Sequence, residues 1–258
     1  MILGLSTPLI ALIAATVLLA GTVNGVAGFG FALVGTMVLA SVVDPATAVV
    51  FMILPVLSVN LSLARELSRE SLGSCGRRFW PLLAAAVPAT VVGMVALDRL
   101  PAGPLRVGLG LVTLGFVLST QDLLSLPGVE TAQDRCYVET VPAMAGVGAV
   151  SGLLFGGTNV GVQLIAYLKS CDLSHGLFVS VVATVFLGLN GVRVAAAGVF
   201  GLYPSFAVVG ASLVAAVPAV SGVVLGKRLR RLVSEAWRER LVLSLLTVVG
   251  VRLVWAGL

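Results

Sequence analysis

Residues 21–34, GTVNGVAGFGFALV, interrupt an apolar run that extends from Thr7 to Val43. As one helix that run would measure roughly 55 Å at about 1.5 Å per residue, against a hydrocarbon core of about 30 Å. It is too long for one span. Gly21, Gly25, Gly28 and Gly30, with the polar Thr22 and Asn24, lie at its middle. A helix can open there, and inside lipid the freed N–H and C=O groups need neighbouring protein, water or a ligand. The stretch therefore reads as a broken helix or hairpin with its gap inside the membrane. The same pattern returns at 148–161, GAVSGLLFGGTNVG.

Composition places the chain among polytopic helical membrane proteins: 59% of its 258 residues are hydrophobic, 10% are charged, and the mean hydropathy is +1.12. No soluble fold could hide that much apolar surface. With no Pro/Gly/Ser linker to divide it, the chain reads as a single transmembrane domain over 1–258, with internal repeats at about 5–124 and 141–258. The segment MILGLSTPLI lacks the basic start of a cleavable signal, so the first helix is expected to be retained. The net charge of +5 comes from 16 basic and 11 acidic residues, and most of the basic ones fall in two segments. That clustering suits loops facing membrane lipid and gives no case for nucleic acid. Cys75, Cys136 and Cys171 are scattered without CxxC or a histidine cluster, so neither a metal nor a cofactor is expected.

Asp44-Pro45 is a helix-start signal for a span over 46–64. The basic segment 65–78 follows, then spans over 79–97 and 105–124, and a polar connector over 125–140. The second half holds the glycine-rich segment 141–168, spans over 173–199 and 203–225, a second basic segment over 226–240, and a last span over 241–258. If both basic segments are cytoplasmic, an even number of crossings separates them. Four ordinary spans are already even, so 141–168 must cross twice or not at all, which excludes a single broken span and favours a hairpin. The same count for the first half puts the N- and C-termini outside, and the two halves begin on opposite faces. The expected fold is an all-α, inverted-repeat helical bundle whose two glycine-broken hairpins meet near the midplane. With an offset of 127, Gly21, Val23, Gly25 and Gly30 fall on Gly148, Val150, Gly152 and Gly157, and small gaps bring Asp44 onto Asp172 and Asn60 onto Asn190.

Two half-helix N-termini facing each other near the midplane would offer unpaired N–H donors and partial positive charge, which suits an anion. Glycine admits close backbone approach, and neutral side chains can donate without carrying a permanent charge into the bilayer. The candidate substrate-binding residues are Asn24, Gly25, Gly28, Phe29, Gly30, Asn60, Gly156, Gly157, Thr158, Asn159, Gln163, Asn190 and Arg193, with Thr22 as a further donor. Packing is the competing reading for Gly21/Gly25 and Gly148/Gly152, which both fit G-x-x-x-G. Asn60 and Asn190 suit an interhelical bond or a ligand contact. Arg193 either snorkels to the outer interface or faces the cavity. His175 reads as a cap or surface group, with a proton-linked role as the alternative. No Asp or Glu falls in the central part of a span, and no HExxH, GxSxG or P-loop is present, so proton-relay and enzyme readings lack residues to work with.

The segments NGVAGFGFALV and SGLLFGGTNVGVQL, the helix starts DPATAV and DLSHGL that follow them, and the overall length resemble the TauE/SafE sulfite-exporter family. The resemblance covers nearly the whole chain. It implies a secondary transporter of sulfite, sulfonates or similar small anions in the cytoplasmic membrane, with a homodimer as a compatible assembly. A non-transporting membrane scaffold or accessory subunit is the alternative class.

Overall fold

The computed structural model describes residues 7–27, 30–64, 79–120, 140–159, 161, 164, 167–168, 175–229, 232 and 235–258. The basic segment 65–78, the connector through 139, Gly28, Phe29, Gln163, Arg230 and Arg231 lie outside them. The regular structure among the described residues is all helical, in ten segments: α1 (Thr7–Ala27), α2 (Phe31–Ala40), α3 (Pro45–Phe51), α4 (Ile53–Ala64), α5 (Trp80–Arg99), α6 (Ala102–Thr120), α7 (Val141–Thr158), α8 (His175–Val199), α9 (Phe206–Leu229) and α10 (Glu235–Gly257). Pro45–Ser62, Trp80–Leu97, Val141–Thr158 and Phe206–Leu229 are long and apolar enough to cross a membrane.

The apolar run does break at the glycines. Helix α1 stops at Ala27, Gly30 adopts φ +99°, and α2 starts at Phe31. A left-handed backbone of that kind costs an L side chain about 1–2 kcal/mol, and glycine avoids the clash. In the second half, α7 runs on through Gly157 and ends at Thr158, where Asn159 takes φ +62°. Asn is the non-glycine residue best suited to that conformation. The second interruption therefore falls two residues beyond the position aligned with Gly30.

Asp44 caps α3 as its sequence suggests: its carboxylate accepts from the Thr47 N–H at 2.9 Å and the Thr47 hydroxyl at 3.0 Å. The α3–α4 rod is interrupted at Met52, a consequence of Pro55. Proline has no N–H for the carbonyl four residues back, and that carbonyl belongs to Phe51. Ser212 of α9 donates to it instead.

The second basic segment is less of a loop than expected. Helix α9 continues through Gly226, Lys227 and Arg228 to Leu229, and α10 already begins at Glu235. Lys, Arg and Leu are strong helix formers, cations favour a helix C-terminus and an acid its N-terminus. The segment's charge marks a water-facing end, and that is compatible with helix.

Three small-residue seams hold the helices together. Gly21 and Gly25 of α1 face Ala219, Gly222, Val223 and Gly226 of α9 so closely that backbone touches backbone. Gly148, Gly152 and Gly156 of α7 do the same against Leu82, Ala86 and Thr90 of α5. Gly110 of α6 meets Gly250 and Val254 of α10. In lipid, where burial of apolar surface does not drive helices together, such dispersion contact is a main source of association. Helix α4 packs on both α8 and α9, and α8 on α5. A Cβ on Gly35 of α2 would lie 3.4 Å from the Ala20 Cβ of α1, so α2 lies beside the upstream part of α1.

Candidate functional site

Buried apolar side chains form two clusters, and the helices pass from one to the other at polar residues. Helix α5 gives Leu82 and Ala86 to one cluster and Met94 and Leu97 to the other, with Thr90 at the changeover. Helix α8 gives Val185 and Leu189 to the first and Ala196 and Ala197 to the second, with Asn190 and Arg193 between. Arg193 is 0% exposed and is the one charged residue in the buried set of the described residues. Its guanidinium lies over the Phe155 ring of α7, 4.8 Å from the centroid. Phe155 in turn meets Phe186 of α8 edge-on at 5.2 Å.

None of the three guanidinium nitrogens has a hydrogen-bond partner among the described residues. The same is true of the buried Thr90 Oγ1, Ser151 Oγ, Asn159 Oδ1, Asn190 Oδ1 and Tyr203 Oη. Two helix faces bring most of these groups together. Ser151, Phe155 and Asn159 recur every four residues on α7, while Phe186, Asn190 and Arg193 follow the same helical stripe on α8. Tyr203 arrives by a turn at Gly201, φ +62°, where the Leu202 N–H bonds back to the Ala197 carbonyl at 3.0 Å. That closure sets Tyr203 about one turn from Arg193, and burial holds its phenol above the ordinary range while the Arg193 charge acts in the opposite sense. The phenol remains a donor.

The two interruptions are tied to each other. Asn24 of α1 accepts from the Phe31 N–H at 3.4 Å across the first gap. Asn159, at the end of α7, donates to the Thr36 hydroxyl of α2 at 2.8 Å and to the Val49 carbonyl of α3 at 3.0 Å. Asn159 was expected to offer its donors to a ligand; both are used within the protein, and only its oxygen is unpartnered. The Thr22 and Thr158 hydroxyls donate back to Leu18 and Leu154 in their own helices. Gly25 and Gly156 lie in the backbone seams, and a Cβ on Gly157 would come within 3.3 Å of the Gly93 carbonyl. Gly30 is open on its Cβ side, with nothing within 4 Å. Asn60 is half-buried on α4. Arg193 points inward, which removes snorkelling as its explanation.

Of the sequence candidates, Arg193 lies over Phe155, Asn159 follows that ring by one turn of α7, and Asn190 sits on α8 between Phe186 and Arg193. Thr90, Ser151, Phe155 and Tyr203 were not anticipated. The spacing of four through Ser151, Phe155 and Asn159 could have singled out the first face. Thr90 and Tyr203 come from distant segments and carry no local signal.

No curated protein and no solved structure matches the chain. The family model described as sulfite exporter TauE/SafE matches residues 13–253. An all-helical architecture, several apolar helices and a match across nearly the full length agree with one another, and the chain belongs to the TauE/SafE sulfite-exporter family of multi-pass membrane transporters.

Proposed function

We propose that the protein is a secondary transporter of small sulfur-containing or organic anions, such as sulfite or sulfonates, in the cytoplasmic membrane, and that Arg193 is the centre of its binding site. The carrying observation is the buried guanidinium with no hydrogen-bonding partner among the described residues. Burying an unpaired charge costs several kcal/mol, while a desolvated cation–π contact returns about 2 kcal/mol or somewhat more and satisfies none of the guanidinium N–H donors. An oxyanion makes up the difference, because its oxygens match the fork of guanidinium donors. The hydroxyls of Thr90, Ser151 and Tyr203 can add neutral donors at little desolvation cost.

The inverted repeat is the framework for this site. Exchange of the two halves carries the α1·α9 contact onto α7·α5 and the α4·α9 contact onto α8·α5, and leaves α4·α8 and α6·α10 as self-pairs. A two-fold relation between the halves supports that reading, and the return of α2 alongside α1 supports a hairpin in the first half. A scaffold without transport is the second reading, favoured by the backbone-tight seams. It gives no reason for an unpaired buried arginine.

Sulfite or alkanesulfonate flux into proteoliposomes, compared between wild type and Arg193→Met, tests the proposal. Flux should fall at least about tenfold at equal reconstituted amount, the equivalent of about 1.4 kcal/mol. Unchanged flux in the variant places the site elsewhere, and no flux in wild type favours the scaffold.

A further inference from the structure

Resting on that reading of Arg193, we infer that the site selects monoanions that carry a hydrogen-bond donor of their own, such as hydrogensulfite or a hydroxyalkanesulfonate, over anions that only accept. The reason is the orientation of two asparagines. The Asn159 amide nitrogen lies 3.0 Å from the Val49 carbonyl and the Asn190 nitrogen 2.8 Å from the Phe186 carbonyl. A carbonyl only accepts, so each amide must point its nitrogen there and its oxygen away. Both oxygens are buried and without a partner among the described residues.

Both asparagines stand within one helical turn of the residues that meet at Phe155. Asn159 is one turn beyond Phe155 on α7, and Asn190 sits on α8 between Phe186, 5.2 Å from Phe155, and Arg193, 4.8 Å from the same ring. The site thus combines permanent donors on Arg193 with permanent acceptors on the asparagines, while the Thr90, Ser151 and Tyr203 hydroxyls can serve either way. A fully deprotonated oxyanion meets the guanidinium well but brings lone pairs against the amide oxygens and leaves them unsatisfied. A monoprotonated anion, or a sulfonate with a hydroxyl, donates to one of them. Charge points the same way, because Arg193, the one charged residue buried among the described residues, neutralises one negative charge. A dianion would carry an uncompensated charge into the interior.

Binding to purified full-length protein distinguishes these cases. The probes are ethanesulfonate and 2-hydroxyethanesulfonate, two monoanions that differ by a hydroxyl, measured by calorimetry on wild type, Asn190→Leu and Arg193→Met. The hydroxylated anion should bind wild type about tenfold more tightly, the effect of one added hydrogen bond in a buried site. Asn190→Leu should reduce that preference severalfold, and Arg193→Met should abolish binding of both. An arm that needs no variant uses sulfite as competitor against bound 2-hydroxyethanesulfonate: competition should weaken as pH rises through the second ionisation of sulfurous acid. Equal affinity for the two sulfonates, a preference that survives in Asn190→Leu, or competition that strengthens with pH overturns the inference. If both sulfonates bind equally and both are lost in Arg193→Met, the transporter reading stands and only the donor requirement falls. If neither binds wild type at millimolar concentration, the two fall together.

Discussion

The Arg193 guanidinium lies 4.8 Å above the Phe155 ring, and among the described residues none of its nitrogens finds a hydrogen-bond partner. Phe155 is four residues before Asn159, which bonds to both α2 and α3, so the face that supports the cation is locked to the first glycine interruption.

A buried cation of this kind is a cost to the folded protein without ligand. Arg193→Met keeps the length and apolar stem and removes the charge. Its thermal unfolding without anion should occur at the same temperature as wild type or higher, by the equivalent of about 1–4 kcal/mol. Millimolar sulfite should raise the wild-type midpoint and leave that of the variant unmoved. A destabilised variant that still responds to sulfite contradicts the assignment.

The seam glycines should behave as packing positions. A Cβ on Gly25 would press on the Val223 carbonyl and one on Gly152 on the Ala86 carbonyl, both backbone atoms that cannot turn aside. Gly25→Val and Gly152→Val should each lower the monodisperse detergent-extracted yield severalfold. Gly108→Ala, with nothing within 4 Å of its Cβ, should stay within about 0.5 kcal/mol of wild type.

At Gly30 the constraint is conformational, since space is available. Gly30→Ala should destabilise by about 1–2 kcal/mol because of the φ of +99°. Gly188→Ala, a helical position that is likewise open, is the control. Equal stability of the two variants, read from thermal unfolding in detergent, contradicts a left-handed Gly30.

Ser212 and Pro55 should be coupled. Ser212→Ala leaves the Phe51 carbonyl without a partner and should cost about 1–3 kcal/mol. In a Pro55→Ala background residue 55 recovers an N–H for that carbonyl, and the same change should cost much less. A double-mutant cycle in chemical unfolding should give a coupling above about 0.5 kcal/mol, and strict additivity would refute the link.

The proposed inverted layout makes a topological prediction. In a background without Cys75, Cys136 and Cys171, single cysteines at positions 77 and 230 should resist a membrane-impermeant reagent added from outside, while one at Leu258 should react. Labelling of 77 from outside is incompatible with the two halves beginning on opposite faces.

What the sequence determined by itself is the level of class and punctuation. Hydropathy selected a helical membrane protein because lipid leaves backbone groups few other solutions. The cap at Asp44 and the break near Gly30 were legible for a similar reason: both depend on the chain's own covalent geometry and on neighbours within a few residues. Helix ends in the basic segment around 226–240 were misplaced, because charge reports contact with water and says little about whether a helix continues. The site itself needed tertiary structure. Whether Arg193 faced lipid, interface or interior depended on Phe155 of α7 meeting α8, and the use of the Asn159 donors depended on Thr36 and Val49, more than a hundred residues away. Polarity in a sequence shows that a group needs a partner, and only packing decides whether the protein supplies it.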